Sequence, residues 1–305
     1  MIRILANDGM NKNAVNGLID LGYEVVEDHY DKDELLVKIK EFDVLVVRSA
    51  TKVTKEVIDA ATVKGAKLKL IIRAGVGVDN IDVTYARDKG LTVNNTPNAS
   101  SASVAELAIG HMFAVSRFIN TANVTMRQGK WEKKAYTGTE IFGKTLGLIG
   151  FGRIAREVAK RAEALGMKVI YNDICGKVVG YDSYEFYDDI NGLLREADFV
   201  SLHIPYDKKK GYVIGDNEFN AMKDGAFLIN CARGGVVSEQ ALLNAINNGK
   251  IRGAALDVFE NEPKPCAEIL DNPRVSVTPH IGASTKEAQA RIGEEIVNIV
   301  ENTFK

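Results

Sequence analysis

The sequence predicts an α/β protein built of two parallel-sheet domains, one inserted into the other, and three observations carry that expectation. The chain has 305 residues of 46% hydrophobic composition, enough for about two domains with ordinary cores. Strand-sized apolar runs alternate with helical stretches along almost all of it, the pattern of a parallel sheet with helical crossovers. The string Gly150-Phe151-Gly152-Arg153-Ile154-Ala155 stands near mid-chain, directly after the apolar run 146–149, so a second series of strands starts there.

In chain order, the first series places strands at 2–6, 23–26, 44–47, 70–72 and 91–93, with helical segments between them. Asn94-Asn95-Thr96-Pro97-Asn98 signals a break, and Ser103-Val104-Ala105-Glu106 reads as a capping box opening a helix. Its apolar stripe, Val104, Leu107, Ala108, Met112, Val115 and Ile119, is read as core packing between domains. The second series places strands at 146–149, 168–171, 199–202, 226–229, 253–257 and 275–277, with helices around 189–195 and 240–248. A last helix from Lys286 to about Asn302 follows the final strand and is read as returning to the first domain. The expected division is 1–97 with 283–305 against 98–282, with the two crossings acting as a hinge around a cleft.

The mid-chain glycine string has the full context that a dinucleotide fingerprint requires. A strand precedes it, an amphipathic helix with Val158, Ala159, Ala162 and Leu165 follows, and a second strand ends on Asp173, twenty-one residues beyond Gly152. Gly150 permits the tight turn, Gly152 lets the backbone approach a pyrophosphate, and the small Ala155 lets helix pack on strand. Asp173 is then placed to accept hydrogen bonds from a ribose diol. Arg73-Ala74-Gly75-Val76-Gly77-Val78-Asp79-Asn80 imitates this string but lacks the long βαβ unit and terminal acid. It is read as a glycine loop whose amides face a substrate anion.

Ligands in open α/β sheets bind outside the carboxyl ends of strands, and three such ends carry candidate chemistry. Arg233 follows the strand at 226–229 among glycines, where a guanidinium can grip a small carboxylate in a bidentate fork. Asp257 and Glu262 follow the strand at 253–257, and His280 follows the one at 275–277. A carboxylate bonded to one imidazole nitrogen fixes the tautomer and leaves the other nitrogen for acid–base work. Singly, each residue has a plain structural reading as a surface arginine or a satisfied histidine; together, downstream of the fingerprint, they point to catalysis. His203, before Ile204 and Pro205, is read as lining the nucleotide crevice, and Cys231 as a wall residue beside the cofactor. His29 and His111 are read as surface or packing residues.

A net charge of −2 offers nothing to nucleic acid or an anionic membrane, and no apolar run approaches the roughly 20 residues of a membrane span. The N-terminus has no signal-like apolar region, so a cytoplasmic location is expected. Three scattered cysteines without histidine partners indicate neither a disulfide framework nor a metal site. The run Lys208-Lys209-Lys210 is read as a solvated loop.

The strings RAGVGVDNID, GFGRIA, NCARGGVV, GAALDVFENEP and TPHIGAST together resemble the D-isomer-specific 2-hydroxyacid dehydrogenases over nearly the whole chain. NTPNASSASVAELAIG, QGKWEKKAYTGTEI and VRSATKVTKEVIDAA are most similar to members acting on phosphoglycerate. The resemblance implies two Rossmann/flavodoxin-like domains, an NAD-binding domain inserted into a substrate-binding one, and a homodimer built on the NAD-binding domain. On matching positions, it implies that Arg233 binds the substrate carboxylate and C2 oxygen, Glu262 supports His280, and His280 exchanges the C2 hydroxyl proton. NAD is the implied cofactor, held by Val76, Gly150, Gly152, Arg153, Ile154, Asp173, His203, Ile204, Pro205, Cys231, Ala232, Asp257 and Gly282, with Asp257 on the carboxamide. Arg48, Arg73, Ala74, Gly75, Val76 and Lys133 are the implied substrate contacts, the two arginines for a phosphate, and Lys133 stands where related enzymes carry an arginine. The expected activity is NAD-dependent oxidation of a phosphorylated D-2-hydroxy acid. The alternatives are reduction of glyoxylate or hydroxypyruvate and, in a different class, an NAD-sensing corepressor-like scaffold.

Overall fold

The structure, a computed structural model, describes residues 1–305, and the chain divides into two units, Met1–Ser100 with Ala283–Lys305, and Ser101–Gly282. The first crossing thus falls three residues later than expected from the Asn-Pro signal. Ala99 explains the delay: it is buried in the first unit's core, and its carbonyl accepts from Arg291 Nε at 2.8 Å.

The first unit runs β1 (Arg3–Ala6), α1 (Lys12–Asp20), β2 (Glu24–Val26), α2 (Lys32–Lys38), β3 (Val44–Val47), α3 (Lys55–Ala61), β4 (Leu70–Arg73), α4 (Val83–Asp88) and β5 (Thr92–Asn95). Its strands form one parallel sheet in the order β2-β1-β3-β4-β5, the flavodoxin-like order. Successive residues of each central strand enter opposite cores. Leu5, Leu45, Val47 and Ile71 lie on the side of α2 and α3, while Ile4, Ala6, Val44, Val46 and Ile72 lie on the other. Burial on both faces is why these strands read as continuous apolar runs. The helix Lys286–Phe304 closes the second face with Ile292, Ile296 and Val300, starting where the Thr285 hydroxyl accepts from Ala288 N–H.

The second unit contains α5 (Ser101–Ser116), α6 (Ile119–Arg127), a 3₁₀ turn at Lys133–Tyr136, β6 (Thr145–Ile149), α7 (Arg153–Ala164), β7 (Lys168–Asn172) and β8 (Glu185–Phe186). It continues through α8 (Ile190–Glu196), β9 (Phe199–Leu202), α9 (Asp216–Ala221), β10 (Ala226–Asn230), α10 (Glu239–Asn247), β11 (Ile251–Leu256), α11 (Ala267–Leu270) and β12 (Val275–Val277). Seven parallel strands pair in the order β12-β11-β10-β9-β6-β7-β8, so the strand order reverses between β6 and β9. That is the Rossmann arrangement, in which ligands bind at the point of reversal.

Three expectations about the helix after the break are corrected. α5 begins at Ser101, so Ser103 lies inside the helix, is buried, and forms no capping box. The helix stops at Ser116 because Phe118 adopts a left-handed conformation (φ 56°), which interrupts the ladder, and α6 leaves at 64°. Ile119 consequently sits on α6, half exposed, rather than on the α5 stripe. The remaining stripe, Val104, Ala108, Met112 and Val115, packs with Leu146, Leu148, Phe227 and Ile229 of the second unit's own sheet. β8, two residues long, has no anticipated counterpart. No single helix is long and apolar enough to cross a membrane.

Candidate active site

Register places the site. Asn172, Ile149, Leu202, Asn230, Leu256 and Val277 pair across neighbouring strands in one row, each at or beside the last residue of its strand. The chain therefore leaves the sheet at one level six times in succession. The residues that follow this row are Asp173, Gly150, His203, Cys231 to Arg233, Asp257, and Thr278 to His280. Candidate residues that are scattered over more than a hundred positions of sequence are in this way carried on one edge of a single sheet.

The glycine loop fits a dinucleotide. Gly150 has φ +83°, and a Cβ there would lie 2.6 Å from the His203 carbonyl oxygen and from Ile204 Cγ2, so the turn after β6 and the end of β9 admit no side chain between them. At Gly152 a Cβ would meet nothing within 4 Å, and no side chain caps the start of α7. Open space in front of uncapped amides at the N-terminus of a twelve-residue helix suits a pyrophosphate. Ala155 is fully buried beneath the loop, while Arg153 is exposed and Ile154 half-buried at the helix start. The Asp173 carboxylate accepts from Phe151 N–H at 2.7 Å and Cys175 N–H at 2.9 Å, one donor per oxygen, and each oxygen keeps a lone pair for a ribose hydroxyl. Lys177, close in sequence, is ion-paired with Asp182 at 2.8 Å.

His280 Nδ1 lies 2.8 Å from Glu262 Oε2, while the other carboxylate oxygen accepts from Phe259 N–H at 3.1 Å. Burial alone pushes the Glu262 carboxyl up, but the hydrogen bond and charge of His280, the Phe259 amide and the nearby Arg233 charge outweigh it and hold it below the usual glutamate value. The pair leaves His280 Nε2 as the working nitrogen. His280 itself has φ +52°, a conformation a non-glycine residue keeps only where its surroundings fix it. Arg233 is set by the turn after β10: Asn230 Oδ1 accepts from Ala232 N–H at 3.0 Å, Asn230 Nδ2 donates to the Arg233 carbonyl at 3.0 Å, and Arg233 Nη1 donates to the Ala232 carbonyl at 2.5 Å. A Cβ on Gly234 would fall 1.7 Å from the Phe259 carbonyl oxygen, so the Arg233 and Glu262 loops touch backbone to backbone.

Asp257 is 1% exposed and accepts three hydrogen bonds, from Thr278 Oγ1 at 2.6 Å, Ile281 N–H at 2.8 Å and Gly282 N–H at 2.9 Å. One acceptor position on Oδ2 remains for a ligand N–H. His203 is bonded through Nε2 to Ser201 Oγ at 3.0 Å, and burial pushes its pKa down to about 4, so it stands at the crevice as a neutral ring. Burial, with Asp257 second, pushes the Cys231 thiol far up, which fits a wall residue and not a nucleophile. Ile204 is half-buried and Pro205 exposed beyond it. His29 is exposed, bonded to the Asn7 carbonyl at 2.7 Å. His111, expected as packing, is buried but hydrogen-bonded at both nitrogens.

Within the first unit, Arg48 follows β3 and Arg73 ends β4, on neighbouring strands in which Val47 pairs with Arg73. Asp8 binds the Arg48 main-chain N–H at 2.7 Å, and the Arg48 guanidinium makes no ion pair. Gly75 has φ +144°, and a Cβ there would lie 1.4 Å from Arg73 Nη1, so the Arg73 guanidinium folds against the glycine loop. Ala74 is buried, and the Val76 carbonyl accepts from Asn95 Nδ2 at 2.5 Å. Lys133 lies exposed in the 3₁₀ turn of the second unit.

Asn230, Thr278 and His111 are the functional candidates that sequence reasoning missed. Asn230 and Thr278 stand inside the strings singled out, one residue past a strand in the case of Thr278, and strand-end position was the available signal.

Residues 109–282 match the D-isomer specific 2-hydroxyacid dehydrogenase, NAD binding domain. The chain belongs to the D-isomer-specific 2-hydroxyacid dehydrogenases, a family of NAD-dependent enzymes. It is 50% identical to a hydroxypyruvate reductase of Thermotoga maritima, over 99% of this chain and 97% of the relative. It is 47% identical to D-3-phosphoglycerate dehydrogenase of Methanocaldococcus jannaschii over all of this chain but 58% of the relative. It thus spans somewhat over half the length of the phosphoglycerate dehydrogenases it matches. Among solved structures, an NADPH-dependent glyoxylate/hydroxypyruvate reductase of Sinorhizobium meliloti superposes with TM-score 0.88 at 28% identity, covering all of this chain and 94% of that one.

Proposed function

We propose that this chain oxidises D-3-phosphoglycerate to 3-phosphohydroxypyruvate, the step that opens serine synthesis. The observation that carries the catalytic part is the single row of strand ends, which sets Arg233, the Glu262–His280 pair and the glycine loop on one edge of one sheet. Arg233 grips the substrate carboxylate and C2 oxygen as a planar fork. His280 Nε2 takes the proton of the C2 hydroxyl, and Glu262, ionised, stabilises the imidazolium that results. NAD, when bound, accepts the hydride that leaves C2. The C2–H pair of electrons and the hydroxyl proton thus leave separately, and a C2 carbonyl remains. Gly150, Gly152, Arg153 and Ile154 hold the pyrophosphate, Asp173 the ribose, Asp257 the carboxamide, and His203, Ile204, Pro205, Cys231, Ala232, Val76 and Gly282 line the cofactor. Arg48 and Arg73 take the substrate phosphate, with Ala74, Gly75 and Val76 on the carboxylate and Lys133 as a further cation. The free Arg48 side chain and the strand-end placement of both arginines support that assignment.

A second reading is favoured by the Thermotoga maritima relative, which matches over the length of both chains: reduction of hydroxypyruvate or glyoxylate. Those substrates have no phosphate to reward Arg48 and Arg73. We also propose a cytoplasmic homodimer built on the second unit, where Val124, Met126, Trp131 and Phe142 leave large apolar side chains exposed.

A panel of D-2-hydroxy acids and 2-keto acids with and without a phosphate, followed by NADH absorbance, separates the two substrates. Arg48→Ala and Arg73→Ala are each expected to remove a charge-assisted hydrogen bond, lowering kcat/KM for phosphoglycerate about ten- to a hundredfold while sparing glyoxylate. Equal losses for both substrates, or a preference for the unphosphorylated acids in the unmodified enzyme, refute the phosphate assignment.

A further inference from the structure

Behind the His280 turn, and ending on Asp257, runs a chain of side-chain hydrogen bonds whose other members the reaction described above does not use. Asn120 Nδ2 lies 2.6 Å from Ser276 Oγ, which lies 3.1 Å from His111 Nδ1. On the other side, His111 Nε2 lies 2.9 Å from Thr278 Oγ1, which lies 2.6 Å from Asp257 Oδ1. His111 and Ser276 are buried, and their side chains have only these partners.

The direction of the bonds between Asp257 and His111 is forced. An amide nitrogen only donates, so Ser276 Oγ accepts from Asn120 and keeps its one proton to give to a bare His111 Nδ1. An ionised carboxylate only accepts, so Thr278 spends its one proton on Asp257, and its oxygen must receive the Nε2–H of His111. In the neutral ring the proton therefore sits on Nε2, and the bare Nδ1 accepts from Ser276. Burial also lowers the His111 pKa, which keeps the ring in that neutral form.

The far end of the chain is the carboxylate that holds the active-site turn. Asp257 binds Thr278 on one side of His280 and the amides of Ile281 and Gly282 on the other. Between these clamps His280 keeps its left-handed backbone conformation, and its ring is aimed at Glu262.

We propose that His111 is a positioning residue: by donating Nε2–H to Thr278 it commits the Thr278 hydroxyl to Asp257 and fixes the turn that carries His280. This rests on the reading of His280 as the acid–base group. A leucine at 111 fills similar space but gives Thr278 Oγ1 no donor, whereas the side-chain amide of a glutamine reaches as far as Nε2 and keeps one.

The test measures NADH-linked reduction of 3-phosphohydroxypyruvate and of hydroxypyruvate, keeping the faster substrate, together with NADH affinity by fluorescence. His111→Leu is expected to lower kcat about two- to thirtyfold with NADH affinity unchanged, His111→Gln to recover most of the loss, and His111→Leu added to Thr278→Val to cost nothing further. Because the chain has four histidines, ¹⁵N-histidine spectra of the unmodified protein report the ring directly, and a neutral Nε2–H tautomer is expected at position 111 whether or not the leucine variant folds. A kcat for His111→Leu within twofold of the parent, equal loss in the glutamine variant, full additivity with Thr278→Val, or an Nδ1–H tautomer overturns the proposal. His280→Ala in parallel separates the two readings. A normal His280→Ala removes the acid–base assignment itself, whereas a crippled His280→Ala beside a normal His111→Leu removes only the positioning role.

Discussion

Gly150 and Gly152 stand two residues apart in one loop, yet replacing each by alanine is expected to fail in opposite ways. At Gly150 the backbone has φ +83°, which costs an L side chain about 1–2 kcal/mol, and the new Cβ would lie 2.6 Å from the His203 carbonyl oxygen. That carbonyl cannot retreat easily, because His203 N–H is bonded to the Ile149 carbonyl at 2.8 Å within the sheet. Overpacking of this kind adds about 1–3 kcal/mol. The sum, roughly 2–5 kcal/mol at about 2–4 °C per kcal/mol for a unit of this size, lowers the second unit's melting temperature by about 5–20 °C. Gly152 differs: φ is −74° and ψ −166°, open to any residue, and a Cβ meets nothing within 4 Å. Gly152→Ala is therefore expected to melt within about 2 °C of the parent, while its methyl group fills the space in front of the α7 amides. Losing one phosphate hydrogen bond of about 1.5–3 kcal/mol weakens NADH about ten- to a hundredfold. Activity falls in both variants and decides nothing. The informative assays are thermal melting without ligand and fluorescence titration with NADH. Parental NADH affinity in Gly152→Ala, or parental melting in Gly150→Ala, refutes this account of the loop.

Asp173 is expected to make NAD the preferred cofactor, because its carboxylate repels a 2′-phosphate, and Asp173→Ala is expected to narrow the preference; equal kcat/KM for NAD and NADP in the parent removes the assignment. Glu262 is held below its ordinary value of 4.5 in the fold, so its contribution to stability is present above that value and lost as pH falls through the lower folded one. The stability gap between parent and Glu262→Gln, followed by urea denaturation, is thus expected to be open at neutral pH and to close below pH 4.5; a gap independent of pH contradicts the pairing. Of the three thiols, exposed Cys175 is expected to react with iodoacetamide in the folded protein and Cys231 only after unfolding, as peptide mapping shows. Trp131→Glu is expected to shift the protein toward monomer by sedimentation, and an unchanged mass excludes this face as the dimer interface.

The parts of this molecule that were legible in the sequence are those whose causes are local. The βαβ context of Gly150 to Asp173 was readable because strand, turn and helix signals are all contained within some thirty residues, and nearly every strand was found to within two residues. The helix break at Phe118 was not readable, because a non-glycine residue takes the left-handed conformation for tertiary reasons that leave no mark on composition. Ser103 misled for a related reason: its spacing to Glu106 fits a capping box, but the chain continues helically two residues upstream and buries it. In the site, Arg233, Glu262 and His280 were legible as polar residues just past apolar strands. What fixes them was not, since His111 meets Ser276 and Thr278 across more than 160 residues, and only the packing of α5 against the sheet beside β12 brings them together.

Central to the account is that His280 Nε2 moves the proton while the dinucleotide is held elsewhere, by the glycine loop and Asp173. The most direct measurement is kcat for His280→Ala beside its NADH dissociation constant. Because proton transfer belongs to the transition state, kcat is expected to fall about 10²–10⁴-fold with NADH affinity within twofold of the parent. Turnover at the parental rate contradicts the assignment of His280, and a comparable loss of NADH affinity contradicts the separation of acid–base chemistry from cofactor binding.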